Sequence, residues 1–232
     1  MKKLFTGLLG LILVLGLILT GCSSKQKNTD DIQAFFKAFN HLLESKSLHL
    51  EGSLDFNGAT TPVDLWYDSQ DGLEAAFVTS LDDDMPVEFY IKDGGTYLDF
   101  AGTKSSSTLA NLGLDNSASL AGLNPFLDLS TDDRLALIDS TSQNKDVHTL
   151  VLNTTELSKA IDSYGSAKIS KAEISYTLKD NEISWLSFAL EGTSELTQTP
   201  TDLNLTIDLT VHARNEKLNI PFPADLASWP RG

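Results

Sequence analysis

Hydrophobic and polar positions change rhythm several times along this chain. Leu4 to Leu19 is almost wholly apolar, "LFTGLLGLILVLGLIL", behind a basic Met1-Lys2-Lys3 head. In "DDIQAFFKAFNHLLES", which follows from Asp30, the residues Ile32, Phe35, Phe36, Phe39, Leu42 and Leu43 recur at helical spacing and predict an amphipathic helix. Asp30 followed by Gln33 fits a capping box at its start. The period then drops to two. In "LHLEGSLDF" the residues Leu48, Leu50, Leu54 and Phe56 share one face, and His49, Glu51, Ser53 and Asp55 share the other. "VDLWYD", "LEAAFVTSL", "PVEFYIK" and "TYLDF" repeat that alternation. Asn57-Gly58, Asp71-Gly72 and Asp93-Gly94-Gly95 supply the turns between them. Connections this short leave no room for crossover helices, so the strands are expected to run antiparallel.

Residues 101–145 differ. They are rich in Ser, Thr, Asn, Leu and Gly, and predict a partly ordered excursion with one short helix near Thr131 to Ser140. "HTLVL" predicts a strand, and "TTELSKAIDSYG" a helix with Leu157, Ala160, Ile161 and Tyr164 on one face. Long two-faced strands return in "KAEISYTL", "ISWLSFAL" and "DLNLTIDLTVHA". "IPFPADLASWP" carries three prolines and predicts an edge or strap segment. The expected fold class is α+β: one curved antiparallel sheet of about nine strands, covered on one face by short helices.

Composition narrows the function. The net charge is −15, and loss of Lys2 and Lys3 with the leader takes it to −17. Phosphate backbones would be repelled by such a surface, so nucleic acid is not an expected partner. Cys22 is the single cysteine, which excludes an internal disulfide.

Candidate chemistry is sparse. The histidines His41, His49, His148 and His212 are dispersed, and no H-E-x-x-H or Cys/His ligand spacing occurs, so no metal site is expected. Ser142-Gln143-Asn144-Lys145 matches S-x-x-K, but the companion elements of penicillin-binding enzymes are missing. Asp82-Asp83-Asp84 lacks the spacing of a calcium loop and reads as a solvated hairpin tip. No residue is singled out as catalytic and no cofactor is expected.

The basic head, the apolar run and the small residues before Cys22 read as a secretory signal. Leu19-Thr20-Gly21-Cys22 resembles the bacterial lipobox, whose cysteine takes a diacylglycerol before the signal is cut ahead of it. The resemblance implies a signal peptide over 1–21, a lipidated Cys22 with a polar tether over 22–29, and one domain over 30–232. It places that domain at the outer face of the cell membrane, held by membrane lipid and, as acyl label, by palmitate. An extended tether of this length reaches at most about 25 Å.

The order of lipobox, tether, helix, antiparallel strands, mid-chain excursion and further strands is similar to LolA/LolB/LppX-type bacterial lipoproteins and to uncharacterised Gram-positive relatives. Phrases such as "EFYIKDGGTYLDF" and "NIPFPADL" carry that likeness. It implies a half-barrel whose concave face is covered by helices, with acyl chains held between. The expected function is therefore a non-enzymatic module binding a hydrophobic ligand. Phe35, Phe36, Phe39, Phe77, Phe89, Leu98, Phe100 and Trp185 are the candidate cavity residues, with Leu205, Ile207 and Leu209 as further members. The alternatives are a solid-cored structural or sensory lipoprotein acting through an envelope protein partner, and a cell-wall hydrolase.

Overall fold

A computed structural model describes residues 27–80, 85–115, 117–124, 126, 129–157, 167–194 and 201–231. The leader, Cys22, the Asp82-Asp83-Asp84 tip and most of the helix expected after Thr154 lie outside the described residues.

The elements run α1 (Thr29–Leu43), β1 (Ser47–Phe56), β2 (Ala59–Asp68), β3 (Glu74–Ser80), β4 (Pro86–Lys92), β5 (Gly95–Phe100) and β6 (Thr103–Thr108). Two 3-10 turns follow, Leu109–Leu112 and Leu120–Leu123, and then α2 (Thr131–Leu137). β7 (Ile138–Asn144), β8 (Val147–Leu152), β9 (Ala167–Lys179), β10 (Glu182–Ser194) and β11 (Thr201–Arg214) complete the strands. The hydrogen-bonded order is β6-β5-β4-β3-β2-β1-β11-β10-β9-β8-β7, an antiparallel sheet with two free ends. This is the expected class with eleven strands where alternation marks about nine. The additions are β6, "TKSSST", and β7, "IDSTSQN", at the two sheet edges. A strand with few apolar residues leaves no two-residue hydrophobic period to read.

Local chemistry sets the element ends. The Asn28 side chain accepts from the Asp30 backbone N–H at 3.1 Å, so the cap of α1 lies two residues ahead of the expected one. Asp30 and Asp31 in the first turn suit the positive end of the helix dipole. Ser130 and Asp133 form a reciprocal capping box on α2, and the chain leaves that helix directly into β7. Asn57-Gly58 and Asp93-Gly94 take positive φ at both positions, as two-residue hairpin turns require.

The chain divides into two compact units. One comprises residues 1–43, 56–58 and 121–207. In it α1 packs on β10, β7 and α2, burying Ile32, Phe35, Phe36, Ala38, Phe39 and Leu42. The other comprises residues 44–55, 59–120 and 208–232. Its sheet face bearing Ala76 and Tyr90 is covered by the chain end, through Ile220, Phe222, Leu226 and Trp229. The proline-rich segment is therefore a strap. It also reaches the β6 edge, where Arg231 bridges Ser106 and the Ser106 N–H donates to the Pro230 carbonyl at 2.6 Å.

Candidate functional site

The helix stripe and the strand aromatics belong to different units. Phe35, Phe36 and Phe39 make a closed ring cluster within the first. Phe35 lies 5.1 Å from Tyr176, and Phe36 and Phe39 meet the Phe126 ring edge-on at 5.3 and 5.6 Å. The Tyr176 hydroxyl donates to the Asp31 carbonyl at 3.0 Å, and burial pushes its pKa well up. These rings interdigitate as ordinary core. Phe126 was legible only as the lone aromatic of a polar stretch.

In the second unit, cross-strand register builds three parallel rows on one sheet face. The middle row is Leu65↔Phe77↔Phe89↔Leu98. One flanking row runs Val63↔Thr79↔Val87↔Phe100, and the other joins Tyr67, Ala75, Ile91 and Thr96. Val63, Thr79 and Val87 on one side, and Tyr67, Ile91 and Thr96 on the other, are buried. All four residues of the middle row remain partly exposed, and Phe100 is 38 % exposed. The result is an apolar strip left open between two rows that are mostly buried, with Phe100 open at the end of one of them. Adjacent strands lie about 4.8 Å apart, so the row spans about 14 Å.

The opposite face of the same strands is closed. Trp66, Ala76, Tyr90 and Tyr97 form its matching row, and the strap packs over it. Tyr90 and Tyr97 meet Trp229 edge-on at 6.0 and 6.2 Å. Lys104 pairs with Asp225 at 2.8 Å and holds that carboxyl below its ordinary range. Burial, reinforced by the Glu88 carboxylate that accepts its hydroxyl at 2.9 Å, pushes the Tyr90 pKa well up.

Three of the expected cavity residues, Phe77, Phe89 and Leu98, thus come together, and Phe100 shares their face. Leu65 joins them although it was not singled out; the alternation of "VDLWYD" already set it beside Val63 and Tyr67 on one face. Trp185 is half-buried on β10 opposite Thr177, while on β11 Leu205 is buried and Ile207 and Leu209 are half-buried. A polar surface hollow of about 570 Å³ is lined by residues 27–31 and by Thr141, Ser142 and Gln143. It holds the serine of the S-x-x-K match, whose lysine sits in the β7–β8 turn with φ 55°.

No family model matches the chain, and no curated protein matches it. Solved structures do. The chain is similar to the Mycobacterium tuberculosis lipoprotein LppX, with TM-score 0.46 and 13 % identity, covering 83 % of this chain and 99 % of that one. It is similar to LprF from Mycobacterium bovis, with TM-score 0.44 and 14 % identity over 86 % of this chain and 100 % of that one. A DUF1329 family protein from Desulfovibrio piger gives TM-score 0.29 and 6 % identity over 81 % and 94 % of the two chains. At this likeness, function has to be argued from the chain's own residues.

Proposed function

We propose that this chain is a lipid-anchored extracytoplasmic lipoprotein whose non-enzymatic domain binds an apolar ligand, such as an acyl chain, along Leu65, Phe77, Phe89 and Leu98. The open apolar row, flanked by buried Val63, Thr79 and Val87 on one side and by buried Tyr67, Ile91 and Thr96 on the other, carries the reading. Two large rings and two leucines left partly in water gain when an apolar ligand covers them, and each methylene laid down contributes about 0.8 kcal/mol. The leader followed by Leu19-Thr20-Gly21-Cys22 supports the anchor, through which membrane lipid would hold the protein at the outer face of the membrane. A second reading, a solid-cored lipoprotein acting through an envelope protein, is favoured by the closed cluster of Phe35, Phe36, Phe39, Phe126 and Tyr176.

Phe89→Ala separates the two, in a chain beginning at Ser23. A ligand-binding row predicts a stability loss below the about 3–5 kcal/mol typical of a fully buried phenylalanine. It also predicts weaker uptake of a fluorescent fatty acid. Absence of fatty-acid and phospholipid binding, together with the full core penalty in denaturant unfolding, would favour the solid-cored reading.

A further inference from the structure

His49 and Glu51 stand two residues apart on β1, so both side chains leave the same face of the strand. Asp64 projects from β2 on one side and His212 from β11 on the other, these being the strands next to β1 in the sheet. Three residues of the β1–β2 hairpin therefore meet one from β11, far along the chain. His49 Nε2 lies 2.8 Å from Asp64 Oδ1 and 3.3 Å from Glu51 Oε1. The other oxygen of Glu51, Oε2, lies 3.2 Å from His212 Nε2. The ligating atoms of His49, Glu51 and Asp64 all fall within 4.8 Å of one another.

Hydrogen bonding alone serves this arrangement poorly. Two carboxylates converge on one imidazole nitrogen, which carries at most one proton to give. Among the described residues no lysine or arginine pairs with Glu51 or Asp64. The two acids face two imidazoles that are charged only when protonated, so the locus is net negative whenever they are neutral. A cation seated between His49, Glu51 and Asp64 relieves all of this at once.

We propose that His49, Glu51 and Asp64, with His212 as the fourth ligand, form a binding site for a divalent transition-metal ion of the zinc class. The donor set of imidazole nitrogen and carboxylate oxygen is the one such ions take. A tetrahedral site with metal–ligand distances of about 2.0–2.2 Å sets its ligand atoms about 3.4 Å apart. The 3.3 Å separation of His49 and Glu51 is already close to that, the 2.8 Å contact opens by a small side-chain rotation, and His212, which meets the second oxygen of Glu51, completes the set by turning inward. The site is also braced. The His49 ring lies flat against Trp66, with centroids 4.6 Å apart and planes 9° apart, and Trp66 packs in turn against the strap cluster. Such support fixes the ring plane of a ligand before the metal arrives. His49 is 16 % exposed, whereas Glu51 and His212 are 46 % and 45 % exposed, which leaves the metal an approach from solvent. The site lies on the sheet face opposite the apolar row and does not depend on what that row binds. Bound metal would clip three neighbouring strands together.

The test is a titration of the full chain in non-ionic detergent micelles with cobalt(II), followed by displacement with zinc(II). The expected result is a saturable visible spectrum of tetrahedral cobalt at one equivalent, bleached by zinc. Asp64→Asn and His49→Gln should each weaken binding by at least the about 10–100-fold seen when even outer-shell partners are removed. His212→Gln should weaken it less. Cobalt should also quench the emission of Trp66, so Trp66→Phe should lose the quenching while still binding metal, a readout that survives if a ligand variant fails to fold. Absence of saturable binding in the folded chain would overturn the proposal. So would binding that persists unchanged in both Asp64→Asn and His49→Gln, or quenching unaltered by Trp66→Phe.

Discussion

A lone glycine inside an alternating strand marks a place where another backbone comes close. Gly52 in β1 is such a residue, and its neighbour is β11. A Cβ built there would lie 1.7 Å from the Asp208 carbonyl oxygen and 2.7 Å from its carbon. Those are backbone atoms in a sheet and cannot swing aside. Gly52→Ala is therefore expected to destabilise the protein by at least the about 1–3 kcal/mol typical of overpacking, seen as a lower denaturant midpoint. The position of the glycine was readable in "LHLEGSLDF"; the partner that demands it was not, because the two strands are some 150 residues apart in the chain. Turn residues show the same division. Asn57-Gly58 and Asp93-Gly94 announce themselves, whereas the turn through Ala101 uses an alanine at φ 52°, a conformation alanine does not favour and so does not advertise.

Among the elements, the strap shows how far composition can be read. Pro221, Pro223 and Pro230 lack backbone N–H groups, so the segment is poorly suited to extend a ladder. It packs side chains on the sheet face instead, with Leu226 and Trp229 buried against Ala76 and Tyr90. Trp229→Ala is expected to cost about 3–5 kcal/mol, as for other large core rings. Thermal unfolding of the variant checks this, and amide exchange in β5 and β6 should accelerate with it. Helix α1 was equally legible from its period, and its phenylalanines are buried as expected. Their partners, Tyr176 and Phe126, were not foreseen, since the period of a helix says which side is covered and not by what. The edge strands β6 and β7 were missed for a different reason. Their Ser, Thr, Lys, Asn and Gln residues form ladders through backbone groups that every residue carries, so the side chains leave little trace.

At the scale of the whole molecule, the anchor reading makes its own prediction. Cells making the Cys22→Ala variant should incorporate no palmitate into the protein; label retained by the variant would refute the lipobox assignment. The sequence by itself determined what each segment would do alone: which residues of a strand share a face, where hairpins turn, where a helix lies, which segment cannot pair. These follow from local periodicity and from backbone preferences a few residues long. It also set Phe77, Phe89 and Leu98 on the alternating apolar positions of successive strands. Tertiary structure alone decided that their row stays open while most of the rows beside it is buried, since burial depends on what packs above and not on the pleat. It alone brought His212 of β11 beside Glu51 of the β1–β2 hairpin, from a strand that neighbours β1 in the sheet and is distant from it in the chain. Register between non-consecutive strands is fixed by the sum of many backbone bonds and side-chain contacts. No short motif encodes it, and for that reason what β11 adds to the site has no signature in the sequence.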